Sequence, residues 1–231
     1  WTFIFRRSKM NKSDKNVRKI TMIGMLCAIA YAVMVVGRVP IVLFLKYDPK
    51  DVVITIGGFI FGPLSAFTIS AIVSIIEMFT VSDTGIIGCI MNILASCSFA
   101  CTAAFIYKKK HTIKGAVEGL VCGLIGMTII MVLWNYLVTP IYLGYPREAV
   151  VELLLPAIVP FNLLKGGINM AIVLLLYKHV VNALRRAKMI DLSKNADERS
   201  TVTKNNTGVM LIAVVILATA VLLALVLKGV I

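Results

Sequence analysis

Polar side chains recur at helical spacing inside apolar sequence in this 231-residue chain. Asn162, Lys165 and Asn169 fall at i, i+3 and i+7 directly after Pro160, which puts them on one helix face. Ser70, Ser74 and Glu77 share a face at i, i+4 and i+7, and Gly88, Asn92 and Ser96 follow at intervals of four. Asn135 stands between Trp134 and Tyr136 in a further apolar run. The chemistry of this set is hydrogen bonding: Asn donates and accepts, and Lys donates to carbonyls. Polar groups within membrane-spanning helices turn to the bundle interior or a cavity. Glu77, Asn92, Asn135, Asn162 and Lys165 therefore suggest a convergent polar pocket. The competing reading is interhelical glue, worth about 0.6 kcal/mol per pair. For Lys165 a ligand is the stronger reason, with an ion pair to Glu77 as the alternative.

The elements that position these residues follow from composition. The chain is 59% hydrophobic and 15% charged, with a mean hydropathy of +0.93. A soluble domain has about 45–50% apolar and 25% charged residues, so a soluble globular enzyme is not expected. The apolar runs are Ile20–Val36, Asp51–Phe61, Ser65–Thr80, Thr84–Tyr107, Gly115–Leu137, Ile158–Leu184 and Val209–Leu227. The fold expected is an all-α polytopic membrane protein. It has a six-helix core over residues 20–188, a polar linker over 189–208 and a seventh, C-terminal transmembrane helix over 209–231. The Asp51–Phe61 run reaches only about 16 Å at 1.5 Å per residue, against a hydrocarbon core of about 30 Å. It must be packed within the bundle and continued by ordered loop. A turn at Gly62-Pro63 separates it from the next span.

Charge sets the orientation. The chain has 24 Lys and Arg against 11 Asp and Glu, formally +13. Of the basic residues, 18 lie in three clusters: residues 6–19, Lys108–Lys114 and Lys178–Lys204. Basic residues beside spans mark the cytoplasmic side. With Asp51–Phe61 and Ser65–Thr80 as separate spans, all three clusters fall on that side. This predicts a multi-pass protein of the cell membrane with a cytoplasmic, basic N-terminal segment over residues 1–19. Met10-Asn-Lys-Ser-Asp-Lys reads as a natural start, setting residues 1–9 apart. Because the charge abuts spans, the lipid bilayer is the expected partner and nucleic acid is not.

Gly24, Ala28 and Ala32 form a small-xxx-small stripe on the first span. Such a stripe permits close approach of another helix, either within this chain or from a separate subunit. The five cysteines all lie in apolar runs, and no metal set accompanies them. No G-x-x-x-x-G-K-[ST] phosphate loop, H-E-x-x-H or G-x-S-x-G occurs. No enzyme, metal site or resident cofactor is expected.

Several stretches together resemble the riboflavin-specific S components of energy-coupling factor (ECF) vitamin transporters. They are Phe44-Leu45-Lys46-Tyr47-Asp48-Pro49-Lys50-Asp51 with Ile56-Gly57-Gly58-Phe59-Ile60-Phe61-Gly62-Pro63, and Ile76-Glu77-Met78-Phe79-Thr80 with Ser82-Asp83-Thr84-Gly85. Asn135-Tyr136 with Thr139-Pro140 and Tyr142, and Pro160-Phe161-Asn162-Leu163-Leu164-Lys165-Gly166, complete the match, which runs from about Met10 to about Lys188. The resemblance implies a six-helix protein that captures riboflavin from outside as transported ligand. It would then associate with a transmembrane coupling subunit and two ATPases. It also implies docking through Gly24, Ala28 and Ala32. Flavin contacts would come from Asn135, Asn162 and Lys165 and from the first loop, Phe44, Leu45, Tyr47 and Asp48 included. Phe44, Tyr47, Trp134 and Tyr142 offer apolar faces for a flat ring, or else form an interfacial belt. The C-terminal run is a departure from the group, which usually ends after the sixth helix.

Overall fold

The computed structural model describes residues 12–42, 45–144, 146–186, 208, 213–216 and 218–219. Phe44, residues 1–11 and most of the expected linker lie outside them. Helix α1 spans Lys12–Gly37, α2 Lys50–Phe61, α3 Pro63–Thr80 and α4 Gly85–Ser96. A π-helical turn at Cys97–Cys101 joins α4 to α5, Thr102–Lys110, and α6 follows over Ile113–Leu143. The short α7, Arg147–Leu153, runs through a second π-helical turn at Leu154–Ile158 into α8, Val159–Arg186. With these turns bridged, five segments among the described residues are long and apolar enough to cross a membrane: Asn16–Gly37, Pro63–Thr80, Gly85–Lys110, Ile113–Tyr142 and Arg147–Leu176. Together with α2 they make the six-helix core.

The expected short second helix is present, at 12 residues. It is the most enclosed element, burying Val52, Ile54, Ile56 and Phe59 along with the polar Lys50, Asp51 and Thr55. Val52, Ile56 and Phe59 pack with Phe99, Ala103 and Tyr107 of the α4–α5 rod, and with Leu120, Met127 and Met170 from α6 and α8. Because α2 is walled by protein, its ends can carry polar and irregular backbone at membrane depth. Gly62 makes the turn into α3 with φ at +95°, where a side chain is strained. Pro63 then starts α3 at a position where its missing N–H costs nothing.

The loop before α2 is more regular than expected. It folds into a hairpin of β1, Val39–Val42, and β2, Leu45–Tyr47, pairing Val39 with Tyr47 and Pro40 with Lys46. Helix α6 also runs further than its apolar stretch, through Pro140 to Leu143. Its Gly119 and Gly123 lie against the α4–α5 rod: a Cβ at Gly123 would sit 2.5 Å from Phe99 O, and one at Gly119 2.7 Å from Ala103 O. This is a G-x-x-x-G contact that lets two backbones meet.

Of the expected seventh helix, the described residues 213–216 and 218–219 are helical. Ala213 is fully buried, and Ile216 packs on the core beside Gly167 of α8.

Candidate functional site

Six charged side chains converge where α1, the hairpin, α2, α3 and α8 meet. Arg38, the residue after α1, donates from Nε to Asp48 Oδ1 at 2.8 Å and from Nη2 to Glu77 Oε1. Lys50, at the head of α2, donates to the other oxygen of Glu77 and stands 3.9 Å from Asp48. Asp51 forms an ion pair with Lys165 of α8 at 3.2 Å. Three cations thus face three anions, and all but the half-buried Arg38 are enclosed. The expected alternative partnership of Lys165 with Glu77 is corrected: Asp51 is nearer to Lys165, and Glu77 is taken by Lys50 and Arg38. Burial alone would raise the Asp48 carboxyl, but Lys165, Lys50 and Arg38 outweigh it and hold it below the usual carboxylate range.

One side of this cluster borders a cavity of about 340 Å³. Leu45, Lys46 and Asp48 reach it from the hairpin, Arg38 and Glu77 from α1 and α3, and Ser82, Asp83 and Thr84 from the α3–α4 turn. Helix α4 adds Gly88, Met91 and Asn92; α6 adds Met131, Trp134, Asn135, Thr139 and Tyr142; α8 adds Phe161, Asn162 and Lys165. Of the predicted site residues, Leu45, Asp48, Glu77, Asn92, Asn135, Asn162 and Lys165 all line it. Phe44 lies outside the described residues. Tyr47 is placed elsewhere: its hydroxyl is buried and donates to Asn169 Oδ1 at 2.9 Å, away from the lining. Burial, with Asp51 and Asp48 nearby, raises that phenol. Ser70, Ser74 and Ser96, predicted on polar faces, are buried but not in the wall.

The asparagines are held for presentation. Asn135 Nδ2 donates to Met131 O at 2.7 Å and its Oδ1 accepts from Thr139 at 2.9 Å; Asn162 Nδ2 donates to Ile158 O at 2.8 Å. Each is fixed by its own helix one turn back, so it enters the cavity wall in a set orientation. Between them, Trp134, Tyr142 and Phe161 supply aromatic surface. The rim is tied by Lys46, which pairs with Asp83 at 2.9 Å, and that pairing holds the Asp83 carboxyl below its ordinary range. The wall combines apolar surface with fixed polar and charged groups, at a volume within the range of about 300–1,000 Å³ of small-molecule sites.

A family model for the ECF transporter substrate-specific component matches residues 18–177. The chain belongs to this family. The match covers all six core helices of this S component, the cavity and the charged cluster. It is 33% identical over 190 residues to a riboflavin transporter, RibU, of Staphylococcus aureus (strain TCH60), covering 78% of this chain and 98% of that one. It is 31% identical over 163 residues to the riboflavin transporter FmnP of Bacillus subtilis (strain 168), covering 65% and 85%. A solved structure, described as "Structure and mechanism of the S component of a bacterial ECF transporter", superposes with a TM-score of 0.63 at 30% identity, over 73% of this chain and 98% of that one. This S component is thus a multi-pass membrane protein of a transporter family.

Arg38, Lys50 and Asp51 were absent from the residues predicted for the site. Their signal is present in sequence: with Asp48 they crowd charge of both signs around a helix too short to span, where only burial in protein is available. The small-residue stripe faces outward. Gly24, Ala28 and Ala32 are exposed, while Leu26, Cys27, Ala30 and Met34 of the same helix turn inward. Within the described residues the stripe therefore packs no helix of this chain.

Proposed function

We propose that this S component binds riboflavin from the outer side of the cell membrane and presents it for import, without chemistry on the ligand. The observation that carries this reading is the convergence of Asn135, Asn162 and Lys165 on one aromatic-walled cavity. A flavin ring is flat and neutral, edged by carbonyls and ring nitrogens, and an amide pair with an ammonium complements such an edge. The naming of similar proteins as riboflavin transporters supports the same ligand. Asn92, Glu77, Asp48 and Leu45 complete the wall around it.

The same reading places the N-terminus in the cytoplasm. The basic run Lys108–Lys110 ends α5, whereas the cavity is lined from the opposite, α4 end of that rod. With the basic end inside, the cavity opens outward. Energy would come from two ATPases through a transmembrane coupling subunit, which docks on the exposed Gly24, Ala28 and Ala32 stripe.

Purified protein titrated with riboflavin in detergent tests the ligand. Saturable quenching of flavin fluorescence is expected, lost or greatly weakened in Lys165→Met and Asn162→Ala. Protein that neither carries nor quenches a flavin would refute the assignment.

A further inference from the structure

We propose that Asp51, which does not border the cavity, positions Lys165 for the ligand and sets the site's preference for a neutral over an anionic flavin. This rests on the riboflavin reading above. Asp51 is fully buried in the first turn of α2, where a carboxylate is favoured by the helix N-terminus. It is held from three directions. Ser96 of α4 donates to its Oδ1 at 2.5 Å, Asn169 of α8 approaches Oδ2 at 3.5 Å, and Lys165 stands 3.2 Å from that same oxygen. Asn169 is itself fixed by the Tyr47 hydroxyl.

Among these partners only Lys165 reaches the cavity wall. The framework around Asp51 therefore delivers its effect to the ligand through one ammonium. An ammonium has three N–H donors on a flexible stem. Anchoring it on the Asp51 side leaves the remaining donors for a ligand carbonyl at a fixed place. The carboxylate also cancels the lysine's charge. The groups around this pair, Arg38 and Lys50 against Asp48 and Glu77, already balance one another. Removing the Asp51 charge leaves one uncompensated cation facing the cavity. In a low-dielectric site that net charge acts on whatever enters.

The test titrates riboflavin and its phosphate ester, flavin mononucleotide, by fluorescence quenching. Wild type, Asp51→Asn, Asp51→Glu, Lys165→Met and the Asp51→Asn/Lys165→Met double variant are compared, each checked for thermal unfolding. Asp51→Asn is expected to weaken riboflavin by about tenfold or more, as when a charged hydrogen bond to ligand is lost. It should also shift the affinity ratio toward flavin mononucleotide. Asp51→Glu keeps the charge and should keep the neutral preference. In the Lys165→Met background, Asp51→Asn should weaken riboflavin no further and should not favour the phosphate ester. An unchanged ligand ratio in Asp51→Asn, or an equal loss on adding it to Lys165→Met, would overturn the proposal. Should Asp51→Asn fail to fold, Asp51→Glu and the double variant decide: reversed preference in the first, or weaker binding than Lys165→Met in the second, overturns it. Wild type that binds neither flavin refutes the ligand assignment and this inference with it.

Discussion

Lys50, with no exposed surface, places its ammonium on the carboxylate of Glu77, joining the head of α2 to the last turn of α3. The other Glu77 oxygen takes Arg38 at the end of α1. Three helices are thereby fixed at one level, beside the cavity.

Removing one partner of a buried pair leaves an uncompensated charge and costs about 3–5 kcal/mol. Lys50→Met should therefore lower the unfolding temperature in detergent by roughly 6–20 °C for a chain of this size. Glu77→Gln should do the same, leaving Arg38 and Lys50 to share Asp48. The Lys50→Met/Glu77→Gln double variant should lose less than the sum of the singles, since the pair leaves together. Additive losses in the melting curves would show that the two side chains act independently.

The Lys46–Asp83 pair spans the rim in the open, so it contributes little to global stability and much of its effect is screened by salt. Lys46 lowers the Asp83 carboxyl in the folded protein. The pairing is therefore complete at neutral pH and above the ordinary carboxylate range, and is lost as pH falls through the lowered value. Riboflavin dissociation followed by stopped-flow fluorescence should be accelerated severalfold by Asp83→Asn at neutral pH and low salt. The wild-type rate should rise toward that of the variant in high salt and at acid pH. A variant indistinguishable from wild type at low salt would remove the rim pair from ligand exchange.

Ala28 and Ala30 are two residues apart on α1 and face opposite environments, Ala28 exposed and Ala30 fully buried. Ala28→Leu should leave melting temperature and flavin affinity unchanged but abolish co-purification with a coupling subunit. Ala30→Leu overpacks the core beside Ile54, Ile69 and Ala100 and should cost about 1–3 kcal/mol. Ala28→Leu protein that still assembles would displace the docking face from this stripe.

Much of the arrangement was legible from local pattern. The polar faces of α4, α6 and α8 could be read because helical phase is set by spacing alone, so Asn92, Asn135, Asn162 and Lys165 reach the same wall. The shortness of α2 and its separation from α3 followed from charge parity and from Gly62-Pro63. The hairpin before α2 was not legible, since its strands are only four and three residues long and the first includes Pro40. Tyr47 was expected to face a ligand. Its hydroxyl is instead taken by Asn169 of α8, a partner 122 residues away in the chain.

By itself the amino-acid sequence determined a basic, apolar, multi-span protein with hydrogen-bonding residues at one depth. Apolar length, charge position and helical period are local quantities and need no knowledge of neighbours. The tertiary structure decided the pairing of charges. Lys165 takes Asp51 rather than Glu77, and Lys50 takes Glu77, because ion pairs depend on distances between helices far apart in the chain. It also decided that, among the described residues, no helix covers the Gly24, Ala28 and Ala32 stripe, since which face of a helix is covered depends on what packs against it.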